Sequence, residues 1–196
     1  MRLNITHAFA AMVALTPLHG SPELLATQPE SRIWVEGTST IKAFKCTLPE
    51  FDLKVNADGT GAIPAVLNAQ KPVKSLALTI DAAKLDCGGG TMNDHMREAI
   101  KLDRNPTILF KLSGYDVAKA GAGVEGTVHG SLALGGVEHP IDVSAVASDA
   151  GNGALRVVGS YELALSAFDL KRPSLMFGRI KVGDKVQVKF DLVFKN

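Results

Sequence analysis

With 196 residues, 46% of them apolar, the chain holds enough hydrophobic material for one domain with a real core, which excludes wholesale disorder. Its 21 Lys and Arg nearly cancel 20 Asp and Glu, and the resulting charge of +1 gives no concentrated basic face, so nucleic acid is excluded as the expected partner. Nineteen glycines beside only 6% aromatic residues suit many short strands joined by tight turns.

The N-terminus reads as a targeting segment. Met1-Arg2 precedes the apolar stretch Ala8–Leu15, then Pro17 and the small pair Gly20-Ser21. The apolar stretch falls well short of the roughly 20 residues that a membrane-spanning helix needs. Residues 1–30 are therefore expected to be a signal peptide and disordered leader, cut between Gly20 and Ser31. The domain proper is expected to span 31–196, in the periplasm or secreted.

From there the chain alternates. Ile33 and Val35, then Ile41 and Ala43, then Phe51, Leu53 and Val55 recur with period two. Leu76, Leu78 and Ile80 follow, and after them Ile108, Phe110 and Leu112. Val128, Gly130, Leu132 and Leu134 share a face, as do Ile141, Val143 and Ala145. The last runs are Leu155, Val157, Tyr161, Leu163 and Leu165, and then Val186, Val188, Phe190, Leu192 and Phe194. Alternation marks half-buried antiparallel strands, because parallel sheets bury both faces and read as unbroken apolar runs. Turn signals such as Asp58-Gly59, Gly135-Gly136 and Gly151-Asn-Gly153 separate the runs. About eight or nine short strands joined in this way imply a barrel or a sandwich.

One segment departs from the rhythm. Thr91 and Asp94 suggest a capping-box variant, Met92, Met96 and Ile100 recur every four residues, and Pro106 blocks continuation. These residues predict a helix over 92–102. Its Met face suits ordinary core packing, and equally an adaptable plug over one end of a barrel.

Cys46 and Cys87 are the two cysteines, and no histidine lies within four positions of either to make a metal site. In an exported chain they favour a disulfide, whose loop of about 41 residues contributes roughly 4 kcal/mol in the chain-entropy picture. Catalysis is not expected. No Gly-x-Ser-x-Gly elbow occurs, and no lysine-serine pair follows Gly135-Gly136. His129 and His139 are too far apart in sequence for a helical metal pair, and His129 alternates with inward Val128 and Gly130 and so should face solvent. No cofactor and no metal is expected.

Four stretches, in order, carry a resemblance: GTSTIKAFKC at 37–46, MNDHMREAIKLDRNPTILF at 92–110, GTVHGSLALGGVEHPIDV at 126–143 and FGRIKVGDKVQVKFDLVF at 177–194. Together they resemble the YceI-like family of extracytoplasmic polyisoprenoid-binding proteins. The resemblance implies an extended, lipocalin-like, eight-stranded antiparallel β-barrel, mainly β with one short helix. It also implies that a long isoprenoid, such as a polyprenyl lipid or quinone tail, lies along the interior. Family members often carry Arg-x-Asp-Phe-Gly before the last hairpin, where this chain reads Phe168-Asp169-Leu170-Lys171-Arg172-Pro173.

The expected apolar lining is Leu78, Ile80, Met96, Ile100, Phe110, Leu132, Val143, Tyr161, Leu163, Val188 and Phe190. Small inward residues among them (Ala43, Gly130, Ala145, Gly159) would leave a channel instead of a filled core. The rival reading is a structural or partner-binding module of the cell envelope, with a filled core and no ligand. Lys171, Arg172, Arg179, Lys181, Lys185 and Lys189 make the C-terminal quarter basic. That is either a solvated strand face or a rim in transient contact with a membrane surface. No strand can be assigned to an edge, so the sequence sets no oligomeric state.

Overall fold

The computed structural model describes residues 22–59, 61–175 and 179–196. The strands are β1 (Pro22–Thr27), β2 (Arg32–Ser39), β3 (Ala43–Leu48), β4 (Asp52–Asp58), β5 (Val73–Asp81), β6 (Thr107–Ala120), β7 (Gly123–Leu134), β8 (Val137–Gly151), β9 (Ala154–Ala164), β10 (Ser174–Leu175) and β11 (Ile180–Lys195). Two helices interrupt them, α1 (Ala62–Leu67) and α2 (Gly90–Ala99).

Antiparallel pairing runs β1-β4-β5-β6-β7-β8-β9-β11, and β11 pairs with β1 to close the ring. Along β11, residues 182–191 pair with β2, and residues 194–195 pair with β1. The pair β1 and β2 thus forms one bent strand, and β3 and β4 form another beside it. The result is a closed eight-stranded antiparallel barrel, as the resemblance implied. The bend between β1 and β2 is pinned by Ser31, a buried residue whose hydroxyl accepts from the Val193 N–H at 3.0 Å and donates to the Val193 carbonyl at 3.3 Å.

Alternation maps onto the barrel wall as period two requires. On β4, Leu53, Val55 and Ala57 turn inward while Asp52, Lys54, Asn56 and Asp58 are exposed. The interior divides into two buried clusters. One, at the end capped by α1, gathers Leu25, Val55, Ala57, Ile63, Val124, Leu155 and Phe194. The other, at the end where α2 lies, gathers Ile100, Leu134, Ile141, Leu163, Phe168, Leu170 and Val186.

Four expectations are corrected. A disordered leader through residue 30 does not hold, because Pro22–Thr27 is a strand of the barrel with Leu25 only 2% exposed. The signal peptide itself falls on residues outside those described. Ile41 and Ala43 do not form an inward face: Ser39 closes a turn onto the Lys42 carbonyl, Ile41 is 66% exposed, and Phe44, Cys46 and Leu48 carry the inward face of β3. A register change of one residue exchanges the two faces, which is what the turn imposes here. A second helix, α1, exists where none was expected; the Glu23 carboxylate accepts from the Gly61 and Ala62 N–H groups at its start. Finally, α2 begins and ends earlier than 92–102. Gly89 is its cap and Thr91 lies inside the first turn; Lys101 ends the helix with φ of 57°. The Leu102 N–H donates to the Arg97 carbonyl and the Lys101 N–H to the Glu98 carbonyl, a Schellman ending that does not need Pro106.

Candidate functional site: an apolar cavity in the barrel

A cavity of about 300 Å³ runs between the two core clusters, with Met92, Met96 and Ala99 of α2 on its border. All eleven residues expected to line a channel border it: Leu78 and Ile80 from β5, Met96 and Ile100 at α2, Phe110 from β6, Leu132 from β7, Val143 from β8, Tyr161 and Leu163 from β9, and Val188 and Phe190 from β11. Phe44, Leu76, Leu85, Met92, Pro173 and Val182 border it as well. Phe44 escaped the sequence reading because the face of β3 was assigned one residue off. Pro173 lies outside the strands, and Val182 lies at the start of β11, separated from the regular run beginning at Val186 by a register shift.

The walls are shaped by aromatic rings laid over glycines. A Cβ on Gly37 would meet the Phe44 ring at 2.4 Å, one on Gly130 the Phe110 ring at 2.3 Å, and one on Gly159 the Phe190 ring at 2.3 Å. Each ring can lie flat against the wall only because its neighbour across the sheet has no side chain. Glycine in these strands therefore sets the bore of the cavity.

The chemistry of the wall is almost wholly hydrocarbon. Among the described residues no Asp, Glu, Lys, Arg or His borders the cavity. Trp34 spends its N–H on Glu36 Oε1 at 2.7 Å, outside the barrel. The Tyr161 hydroxyl is the remaining polar group, and among the described residues it has no hydrogen-bond partner; burial pushes its pKa up. The wall also includes Cys46 and Cys87, joined as a disulfide across a sequence separation of 41. This bond fastens the approach to α2 onto β3. The tether is reinforced by paired backbone bonds between Thr47 and Asp86, at 2.7 and 2.9 Å. Asn93 completes it, with Oδ1 accepting from the Cys87 N–H at 2.7 Å and Nδ2 donating to Asp86 at 3.0 Å. Thr91 makes no capping bond, and the N-terminus of α2 has no side-chain cap. No residue of α2 itself is buried, although Met92, Met96 and Ala99 face the cavity.

A family model described as the YceI-like domain matches residues 30–194. The chain belongs to the YceI-like family. Solved structures repeat the barrel at low identity. BcnA of Burkholderia cenocepacia is 22% identical with a TM-score of 0.64, over 84% of this chain and 96% of that one. A polyisoprenoid binding domain from Saccharophagus degradans, implicated in plant cell wall breakdown, is 13% identical with a TM-score of 0.57, over 88% and 97%. The YceI protein of Campylobacter jejuni is 15% identical with a TM-score of 0.59, over 76% and 82%. No curated protein matched the chain.

On the outside of this YceI-like barrel, His129 faces out between two carboxylates, Asp142 at 2.6 Å from Nδ1 and Asp116 at 3.2 Å from Nε2. Both partners raise its pKa, Asp142 more than Asp116. They sit on opposite ring nitrogens, so they share no point where an ion would be held, and no three-ligand metal group occurs among the described residues. His139 instead stacks edge-on against buried Phe168, with ring centroids 5.3 Å apart. Of the six basic residues in the C-terminal quarter, Lys185 pairs with Glu162 and Lys189 with Glu36, each at 2.6 Å. Among the described residues no helix is long and apolar enough to cross a membrane.

Proposed function

We propose that this YceI-like barrel binds a long isoprenoid lipid, a polyprenyl chain or quinone tail, in its interior and carries or sequesters it outside the cytoplasm. The observation that carries the reading is the cavity without charged residues among those described, bordered by side chains from all eight strands of the ring (β1–β2 and β3–β4 each counted as one) and from α2. Its volume of about 300 Å³ lies at the lower end of the range for ligand pockets. A hydrocarbon chain offers no hydrogen bonds and needs none from its site. Burying its surface supplies roughly 25 cal/mol per Å² before ordering costs are subtracted. The unbranched side chains of Met92 and Met96 let the open end adapt to chains of different length.

The description of the Saccharophagus degradans relative as polyisoprenoid binding supports the ligand class. The Cys46–Cys87 bridge supports an oxidising compartment, where disulfides persist. Organic extraction of the purified protein, followed by mass spectrometry, is expected to release a polyprenyl or quinone species. A clean extract together with failure to bind added quinone refutes the reading, and a filled core without ligand becomes the better account.

A further inference from the structure

We propose that the rim at the α2 end is a docking face for an anionic lipid bilayer, through which the cavity exchanges its ligand. The inference rests on the lipid-binding reading above, but its evidence lies on the surface.

Three segments are tied together at this rim. The Thr40 N–H donates to the Lys181 carbonyl at 3.0 Å, and the Thr40 hydroxyl to the Arg179 carbonyl at 3.2 Å. The Val182 N–H donates to the Pro173 carbonyl at 3.0 Å, and Ser174 pairs with Lys181 across the short hairpin of β10 and β11. The β2–β3 turn, residues 171–173 and the start of β11 therefore form one continuous surface. Pro173 and Val182, on those same segments, border the cavity. The surface is the lip of the cavity.

Its charge is one-sided. Lys42, Lys171, Arg172, Arg179 and Lys181 are all exposed, and among the described residues none is in an ion pair. Two carboxylates beside this surface are already engaged. Asp184 accepts from the Ser166 N–H and hydroxyl and faces Arg172 and Lys185, while Asp169 pairs with Lys101. At the tip of the turn Ile41 stands 66% exposed, next to Lys42. Cations ringing an exposed apolar side chain match a bilayer surface, with headgroups for the charges and acyl chains for the isoleucine. The opposite end lacks this imbalance: Lys74 pairs with Asp58, Lys71 with Asp116, and Lys119 with the Leu67 carbonyl. An acidic protein would satisfy the cations but leaves exposed Ile41 and the adjacent cavity without a reason to coincide.

The test is sedimentation of the protein with vesicles of phosphatidylcholine alone and of phosphatidylcholine mixed with phosphatidylglycerol. Three variants are compared: the double variant Lys171→Glu/Arg172→Glu, Ile41→Ser, and Lys195→Glu at the far end as control. All four sites are exposed, and unchanged thermal melting confirms each fold. Wild type is expected to prefer the anionic vesicles and to release them in high salt. Each cation near such a surface is worth about fivefold in binding, so the double variant should lose at least about tenfold. Ile41→Ser should weaken binding and Lys195→Glu should not. Equal sedimentation with both vesicle types, or an equal loss in Lys195→Glu, overturns the docking face. Retention on polyglutamate without vesicle preference also overturns it, and assigns the patch to an acidic protein. Lipid content measured on the same samples separates the two proposals. Lipid-loaded protein without vesicle preference overturns docking alone, whereas vesicle preference without lipid uptake supports docking and overturns the cavity reading.

Discussion

The two ends of the barrel are each covered by a helix, and the helices are built for different purposes. At one end, α1 presses Ala62, Ile63 and Val66 into the core, is capped by Glu23 from β1, and closes over a cluster in which Leu25, Val55, Ala57 and Val124 are almost wholly buried. At the other, α2 buries none of its own residues, turns two methionines toward empty space, and hangs on a disulfide and an asparagine. The first arrangement is what a stable barrel requires, since apolar side chains packed at interior density supply the folding free energy. The second forgoes such contacts. Within one fold, a packed helix closes one end and a tethered helix bordering open space covers the other.

The largest effect that separates the two ends comes from the Cys46–Cys87 bridge. Breaking it by reduction, or by replacing both cysteines with alanine, should cost up to about 4 kcal/mol in a urea melt. Under native conditions the loss should be local: hydrogen exchange should quicken in Gly90–Ala99 while Ala62–Leu67 stays protected. Uniform loss of protection would break the distinction between the ends.

Next in size is a pair of truncations. Ile63→Ala leaves a cavity in a filled cluster and should cost about 3 kcal/mol, whereas Met96→Ala removes a half-buried side chain beside existing space and should cost under about 1 kcal/mol. Denaturant midpoints measure both, and equal costs would mean that the α2 end is packed after all. Lys101→Gly gives a smaller change with the opposite sign. Lys101 occupies the left-handed region, φ 57°, at the end of α2, where glycine is the unstrained residue. The substitution should raise stability by about 0.5–1 kcal/mol.

The smallest effect concerns neither end. With its folded pKa raised by Asp142 and Asp116, His129 contributes stability that is present below its ordinary value of about 6.5 and is lost as pH rises through the folded value. A ring-proton NMR titration should place the wild-type pKa above that of Asp142→Asn. Lipid loading should not change across the same pH window, because the ring lies outside the wall.

Much of this contrast was readable in the sequence, and unevenly so. Long strands such as β9 and β11 announce their inward faces, because each inward Leu, Val or Phe has a polar neighbour on at least one side. That is why Tyr161 and Phe190, among others on these strands, read as inward-facing, and both border the cavity. β1 was hidden because six residues with one fully buried leucine, a few positions after the apolar stretch Ala8–Leu15, carry no period of their own. Its place is set by distant partners, Ser31 on Val193 and Leu25 opposite Val55. The inward face of β3 was lost for a similar reason, since Ser39 and Lys42 settle the register through a turn that apolar alternation does not encode. The basic C-terminal quarter shows the reverse limit. Charge count put six cations together, but the fold pairs Lys185 and Lys189 away and brings Lys42 in from the β2–β3 turn.

The central claim is that the open half of the barrel exists to hold a lipid. Val143 points into the cavity from β8, so Val143→Trp fills that space with side chain while leaving the α1 end untouched. Bound isoprenoid is then measured by extraction and mass spectrometry in wild type and variant, alongside their melting temperatures. The account predicts a stoichiometric lipid in wild type and almost none in a variant that still melts cooperatively near the wild-type temperature. Equal lipid in both would place the ligand somewhere other than the cavity and contradict it.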